Sequence, residues 1–138
     1  MSWKDKMSEW GGGDLAFLSE DGEAIIFVVV GEPVLLAGKY KGRVSEKIGC
    51  PVVTADGFVL FIAGKRLARK LSKYEDEFSS NAFMAVRHGT QNDITSSYEL
   101  KIVPDAEMTT NLLAIAKRDF NPEMIADAVK AAEAVMQQ

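Results

Sequence analysis

The sequence predicts a mainly β domain, α+β overall: a small barrel of about six short strands, with a short helix inserted and helices at the C-terminus. Three observations predict it. Short apolar, β-branched runs punctuated by Gly and Pro fill residues 24 to 63. The apolar period then becomes helical over Leu67, Leu71 and Tyr74, and returns to strand-like alternation after Phe83. Beyond Pro104 the pattern is helical to the end. The division this implies is an N-terminal helix and Gly-rich arm over 1–14, a β-barrel over 15–104 and a helical extension over 105–138. With 138 residues, 47% hydrophobic and 26% charged, the chain can build one real core.

Each element has its own warrant. Trp3, Met7 and Trp10 recur at helical spacing, and "GGGD" at Gly11 to Asp14 makes a hinge or tight turn. "DLAFLSEDGEAIIFVVV" reads as strand, turn, strand, with Asp21-Gly22 as a two-residue hairpin signal. Gly31 and Pro33 close the second of these strands. Turns are expected near Gly38, Gly42, Gly49 to Pro51 and Asp56-Gly57, and Phe58 to Ala63 is a buried strand. "GKRLARKLSKYEDEF" is a short amphipathic helix with Lys65, Arg66, Arg69, Lys70 and Lys73 outside. "TTNLLAIAKRDF" is a helix with a Thr cap. Asn121-Pro122 opens the last helix as cap and first residue, with Phe120 stapling onto Ile125. Its apolar stripe, Ile125, Ala128, Val129, Ala132 and Met136, needs a partner: the domain's own surface or another subunit.

The charge is patterned. Residues 1–34 carry two Lys/Arg against seven Asp/Glu, 35–89 ten against five, and 90–138 four against eight. A basic middle can present a positive face under a net charge of −4. No run approaches the ~20 apolar residues of a membrane span, and the N-terminus lacks a secretory apolar stretch. Cys50 is alone, so no internal disulfide forms, which fits a cytoplasmic protein.

Catalytic chemistry finds little footing. With one His and one Cys, a Cys/His zinc site within the chain is excluded. Cys50 precedes a proline, and nothing around it activates a thiol for a Cys50–His88 pair. Glu75, Asp76 and Glu77 read as a solvated acidic turn rather than a nuclease metal site, because no second carboxylate cluster completes a two-metal centre. No P-loop or dinucleotide fingerprint is present, and no cofactor is expected. Binding chemistry is better represented. "GKYKGR" places Tyr40 among Lys39, Lys41 and Arg43, giving cations for phosphates and an aromatic for a base; the plain alternative is a polar hairpin turn. Phe58, Phe61 and Phe83 read as core. Arg87 continues the Phe83 and Ala85 side of its strand and would stand at the barrel mouth, with a surface salt bridge to Glu99 as the alternative.

The order of these features, from "GGGDLAFLSEDGE" through "GKYKGR", "LARKLSKYEDEF" and "FMAVRHGTQNDITSSYELKIV", resembles the OB-fold single-stranded-DNA-binding proteins of tailed bacteriophages over residues 10 to 105. Arg87-x-Gly89 and Tyr98 carry the likeness best. It implies an OB-like barrel in a bacterial host cell, acting in replication or recombination and binding DNA largely without sequence preference. Arg87 and the following loop would face the DNA, while Tyr98 stacks on a base or packs. Lys65 and Arg66 would be a second contact or part of the barrel's cap. The chain departs from the family in lacking zinc ligands and a disordered acidic tail. The alternative is a non-enzymatic interaction or assembly module that oligomerises through its C-terminal helix.

Overall fold

The computed structural model describes residues 15–18, 20–40, 43–89 and 97–136. Its strands are β1 (Leu15–Ala16), β2 (Ala24–Val29), β3 (Val34–Tyr40), β4 (Arg43–Thr54), β5 (Gly57–Ala63), β6 (Phe83–His88) and β7 (Ser97–Ile102). Helix α1 (Lys65–Ser72) and a 3-10 turn (Glu75–Glu77) lie between β5 and β6, and α2 (Ala106–Asp119) and α3 (Glu123–Met136) end the chain. All seven strands share one sheet in the order β1-β5-β4-β2-β6-β7, with β3 also on β4.

The fold is therefore mixed α/β with an open sheet, which corrects the expected closed barrel. Closure would need a ladder between the two ends of the sheet. Instead β1 pairs with β5 and β7 with β6, and no ladder joins them among the described residues. Helix α1 lies against both β4 and β7, and Lys70 Nζ donates to the Tyr98 carbonyl at 2.8 Å. The helix thus bridges β4 and β7 on one face of the open sheet.

β2 and β3 run consecutively along one edge of β4, broken at residues 30–33. Val29 faces Val52 and Val34 faces Gly49, so five steps on one side match three on the other. This dislocation explains why Pro51, expected in a turn, sits inside a continuous strand. The Pro51 carbonyl accepts from Val30 N at 2.9 Å. A strand residue's N and carbonyl face the same edge, so the missing N–H falls at the break, where no ladder bond is lost. Gly38 likewise lies within β3, whereas the turn near Asp56-Gly57 forms as expected between β4 and β5.

The Asp21-Gly22 turn is not a hairpin between β1 and β2. Both edges of β2 are taken, by β4 and β6, so β1 is displaced to pair in parallel with β5. The turn docks on β6 through Gly22 N to the Arg87 carbonyl (2.7 Å) and Arg87 N to the Glu23 carbonyl (2.9 Å). Gly22 takes φ 82°, a conformation open to glycine at little cost.

The sheet buries both faces, so its central strands read as continuous apolar runs. One face holds Phe27, Cys50, Val52, Phe61, Phe83 and Ala85 against Leu67 and Leu71 of α1. The rings of Phe61 and Phe83 lie 5.8 and 6.2 Å from Phe27, and those of Tyr74 and Phe78 lie 5.5 and 5.8 Å from Phe83. Burying each such ring contributes about 1.5–3 kcal/mol. The other face sets Val28 and Val53 against Leu112 of α2, and Leu36, Leu60 and Ile62 against Ala128 and Ala132 of α3.

The C-terminal helices thus share the sheet's core. Asn121 caps α3 as expected, its Oδ1 accepting from Glu123 N at 3.0 Å, while Phe120 stacks on Phe58 at 5.4 Å. The cap of α2 is Asp105 rather than a threonine: its Oδ1 accepts from Glu107 N and Met108 N, whereas Thr109 is buried inside the helix. Ala128, Val129 and Ala132 of the α3 stripe pack on the chain's own sheet, the first of the two partners that the sequence allowed. The alanines let the helix approach the sheet closely. No helix among the described residues is long and apolar enough to cross a membrane.

Ala132 is 1% exposed beneath β3 and β5, so Ala132→Leu should overpack this layer and cost about 1–3 kcal/mol in urea unfolding. An unchanged midpoint would mean that the stripe faces solvent.

Candidate functional site

Helix α1 is the most strongly charged described element. Leu67 and Leu71 anchor one side in the core, and Lys65, Arg66, Arg69 and Lys70, with Lys73 just beyond the helix, are exposed on the other. Two of these cations also strap the helix in place. Lys65 Nζ meets Glu46 Oε1 of β4 at 2.9 Å, and Lys70 reaches the Tyr98 carbonyl of β7. Exposed pairs of this kind contribute about 1 kcal/mol or less, so their effect is positional.

"GKYKGR" closes the β3–β4 hairpin, the plain alternative its sequence offered. Lys39 pairs with Val44 and Tyr40 with Arg43, so the connection spans 41–42, and Lys41 lies outside the described residues. β5 ends with Ala63 opposite Ile48, so the β3–β4 hairpin continues past it as a two-stranded arm. The arm exposes Leu35 and Val44, the latter 70% accessible. The Lys65–Glu46 pair joins the arm to α1.

At the other end of α1, the sequence places Arg87 correctly on the Phe83 and Ala85 side of β6, but the residue is only 7% exposed. Its Nε donates to the Gly89 carbonyl at 2.9 Å, and its Nη1 donates to Tyr98 Oη at 2.6 Å and to the Leu18 carbonyl at 3.5 Å. The guanidinium carbon lies 5.4 Å from the Tyr98 ring centroid. Arg87 and Tyr98, singled out separately from sequence, therefore form one brace at the root of the connection between β6 and β7. Of that connection, residues 90–96 lie outside the described residues.

Asp21 completes the brace, its Oδ1 accepting from Gly89 N at 2.9 Å, and Gly89 takes φ 104°. Sequence reasoning missed this role of Asp21 because Asp-Gly signals a local hairpin and carries no information about a partner 68 residues away. The cross-strand partner of Glu99 is His88, at 3.3 Å. Hydrogen bonds from Lys101 and His88 hold the Glu99 carboxyl below its ordinary range.

Cys50 and His88 are not brought together. Cys50 lies in the core beneath α1, where burial pushes its thiol up to about 11, while His88 is exposed beside Glu99. Glu75, Asp76 and Glu77 form the 3-10 turn after α1. No group of three or more His, Cys, Asp or Glu converges among the described residues.

Comparison of the chain with family models, with curated proteins and with solved structures finds no match.

Two predictions follow from the brace and the thiol. Arg87→Met removes the buried donors and should cost about 2 kcal/mol of stability, with faster hydrogen exchange at Gly22 and Gly89; unchanged exchange there would refute the brace. Cys50, its thiol pushed up to about 11 by burial, should alkylate far more slowly at about pH 8 in the folded protein than in denaturant.

Proposed function

We propose that this chain is a non-catalytic single-stranded-DNA-binding protein. Its contact surface is a band running from the β3–β4 arm across α1 to the β6–β7 end. One observation carries the reading: five cations stand exposed on and just after a single short helix, which is tied at one end to the arm and at the other to the braced connection. By residue type, Lys39, Tyr40, Lys41 and Arg43 would add cations and an aromatic group, Lys65 and Arg66 begin the helical stretch, and Arg87 with Tyr98 braces the root of the β6–β7 connection. Phosphates along the band would meet cations, while bases would stack on Tyr40 of the arm.

The sheet is open rather than a barrel, so the resemblance rests on the sequence motifs and on the helix inserted before the last strand pair. On this reading the protein acts in replication or recombination in the cytoplasm of a bacterial host cell. The rival reading, an assembly module that oligomerises through α3, would have to use the part of that helix that Ala128 and Ala132 do not bury on the sheet.

Fluorescence anisotropy with labelled oligo-dT tests the proposal. About five phosphate contacts should give a slope near −3.5 in log K against log salt. Arg66→Glu with Lys73→Glu should weaken binding by about tenfold or more, and Tyr40→Ala should weaken it further by loss of stacking. Lys130→Ala on α3 should leave affinity unchanged. No binding by folded protein at about 50 mM salt would overturn the proposal.

A further inference from the structure

Because the sheet does not close, a groove of about 360 Å³ remains between α1 and the β2–β4 part of the sheet. That volume lies within the range of small-molecule sites. Val29, Ile48, Cys50 and Phe78 line it, and the dislocation between β2 and β3 contributes Gly31 and Pro33. From α1 the groove receives Ala68, a small side chain between the core anchors Leu67 and Leu71, the second of which also lines it. A larger residue at 68 would fill the space.

The chemistry of the lining selects its ligand. No buried side-chain nitrogen or oxygen among the described residues lacks a hydrogen-bond partner, so nothing in the floor awaits a polar group. A nucleobase or sugar placed there would leave its own polar edges unpaired, whereas a hydrocarbon would leave none. The charged lining residues are Lys65, Arg69 and Glu75. Lys65 is engaged by Glu46, while the Arg69 guanidinium has no side-chain partner among the described residues. A guanidinium so placed is suited to a carboxylate held by two parallel hydrogen bonds.

We propose that this groove binds an amphipathic carboxylate, with a hydrocarbon body of medium-chain fatty-acid size on Val29, Ile48, Cys50 and Phe78 and its carboxylate on Arg69. The groove shares Arg69 with the basic band, but its ligand is argued from the apolar lining and goes beyond the DNA-binding reading. Sodium decanoate, decanol and decyltrimethylammonium, each below its aggregation threshold, are the probes, titrated into the full chain and followed by amide NMR shifts.

Decanoate should shift residues 29, 48, 50 and 68 together and bind more tightly than the cationic probe. Ala68→Trp should reduce decanoate affinity by about tenfold or more by filling the groove. Arg69→Gln, an exposed change that spares the core, should weaken decanoate about fivefold and leave decanol unchanged. Scattered shifts, equal affinity for the cationic probe, or no effect of Arg69→Gln would each overturn the proposal. So would an acidic, leucine-bearing peptide that shifts these residues where decanoate does not. Should Ala68→Trp fail to fold, the Arg69→Gln comparison decides alone.

Discussion

The hydrogen-bonding edges of β4 are the constraint on which the rest of the structure depends. β4 must serve β5 on one edge and both β2 and β3 on the other. A continuous partner along that second edge would meet Pro51, which has no N–H to give. The break at residues 30–33 falls opposite it, and the ladder resumes two residues out of register. That offset frees the β3–β4 arm to extend past the sheet and opens the wall of the groove beside α1. With β2 paired on both edges, β1 is sent to β5, and the Asp21-Gly22 turn reaches the end of β6.

Helix α1 then bridges one face of the open sheet. It covers an aromatic core face with Leu67 and Leu71 and ties β4 to β7 through two lysines. Its remaining side chains are left for solvent and ligands, so the basic surface and the apolar groove are two sides of one small element. Arg87 has a different kind of role. Its cation is spent on Gly89, Tyr98 and Leu18, which orders the root of the neighbouring connection.

Much of the local structure was legible. Leu67, Leu71 and the exposed cations of α1 follow from a helical period, and the Asn121 cap from side-chain chemistry, because both are set within a few residues. Phe61 and Phe83 were legible as core because they sit in apolar runs. The failures share one cause. Asp21-Gly22, Gly49 to Pro51 and the α2 cap were read from local signals, yet their outcomes turned on which strand edges were already occupied or on a nearby better acceptor.

The sequence by itself determined the helices after residue 64, most of the strands and their inward faces, the basic character of the middle segment and the absence of an internal disulfide. Only the tertiary structure decided that the sheet stays open, that α3 packs on its own domain, and that Arg87 and Tyr98 act as one brace. The physical reason is that periodicity encodes which side of an element is apolar. It does not encode which partner covers that side, since pairing depends on the competition among all strands and helices for a limited set of edges and faces.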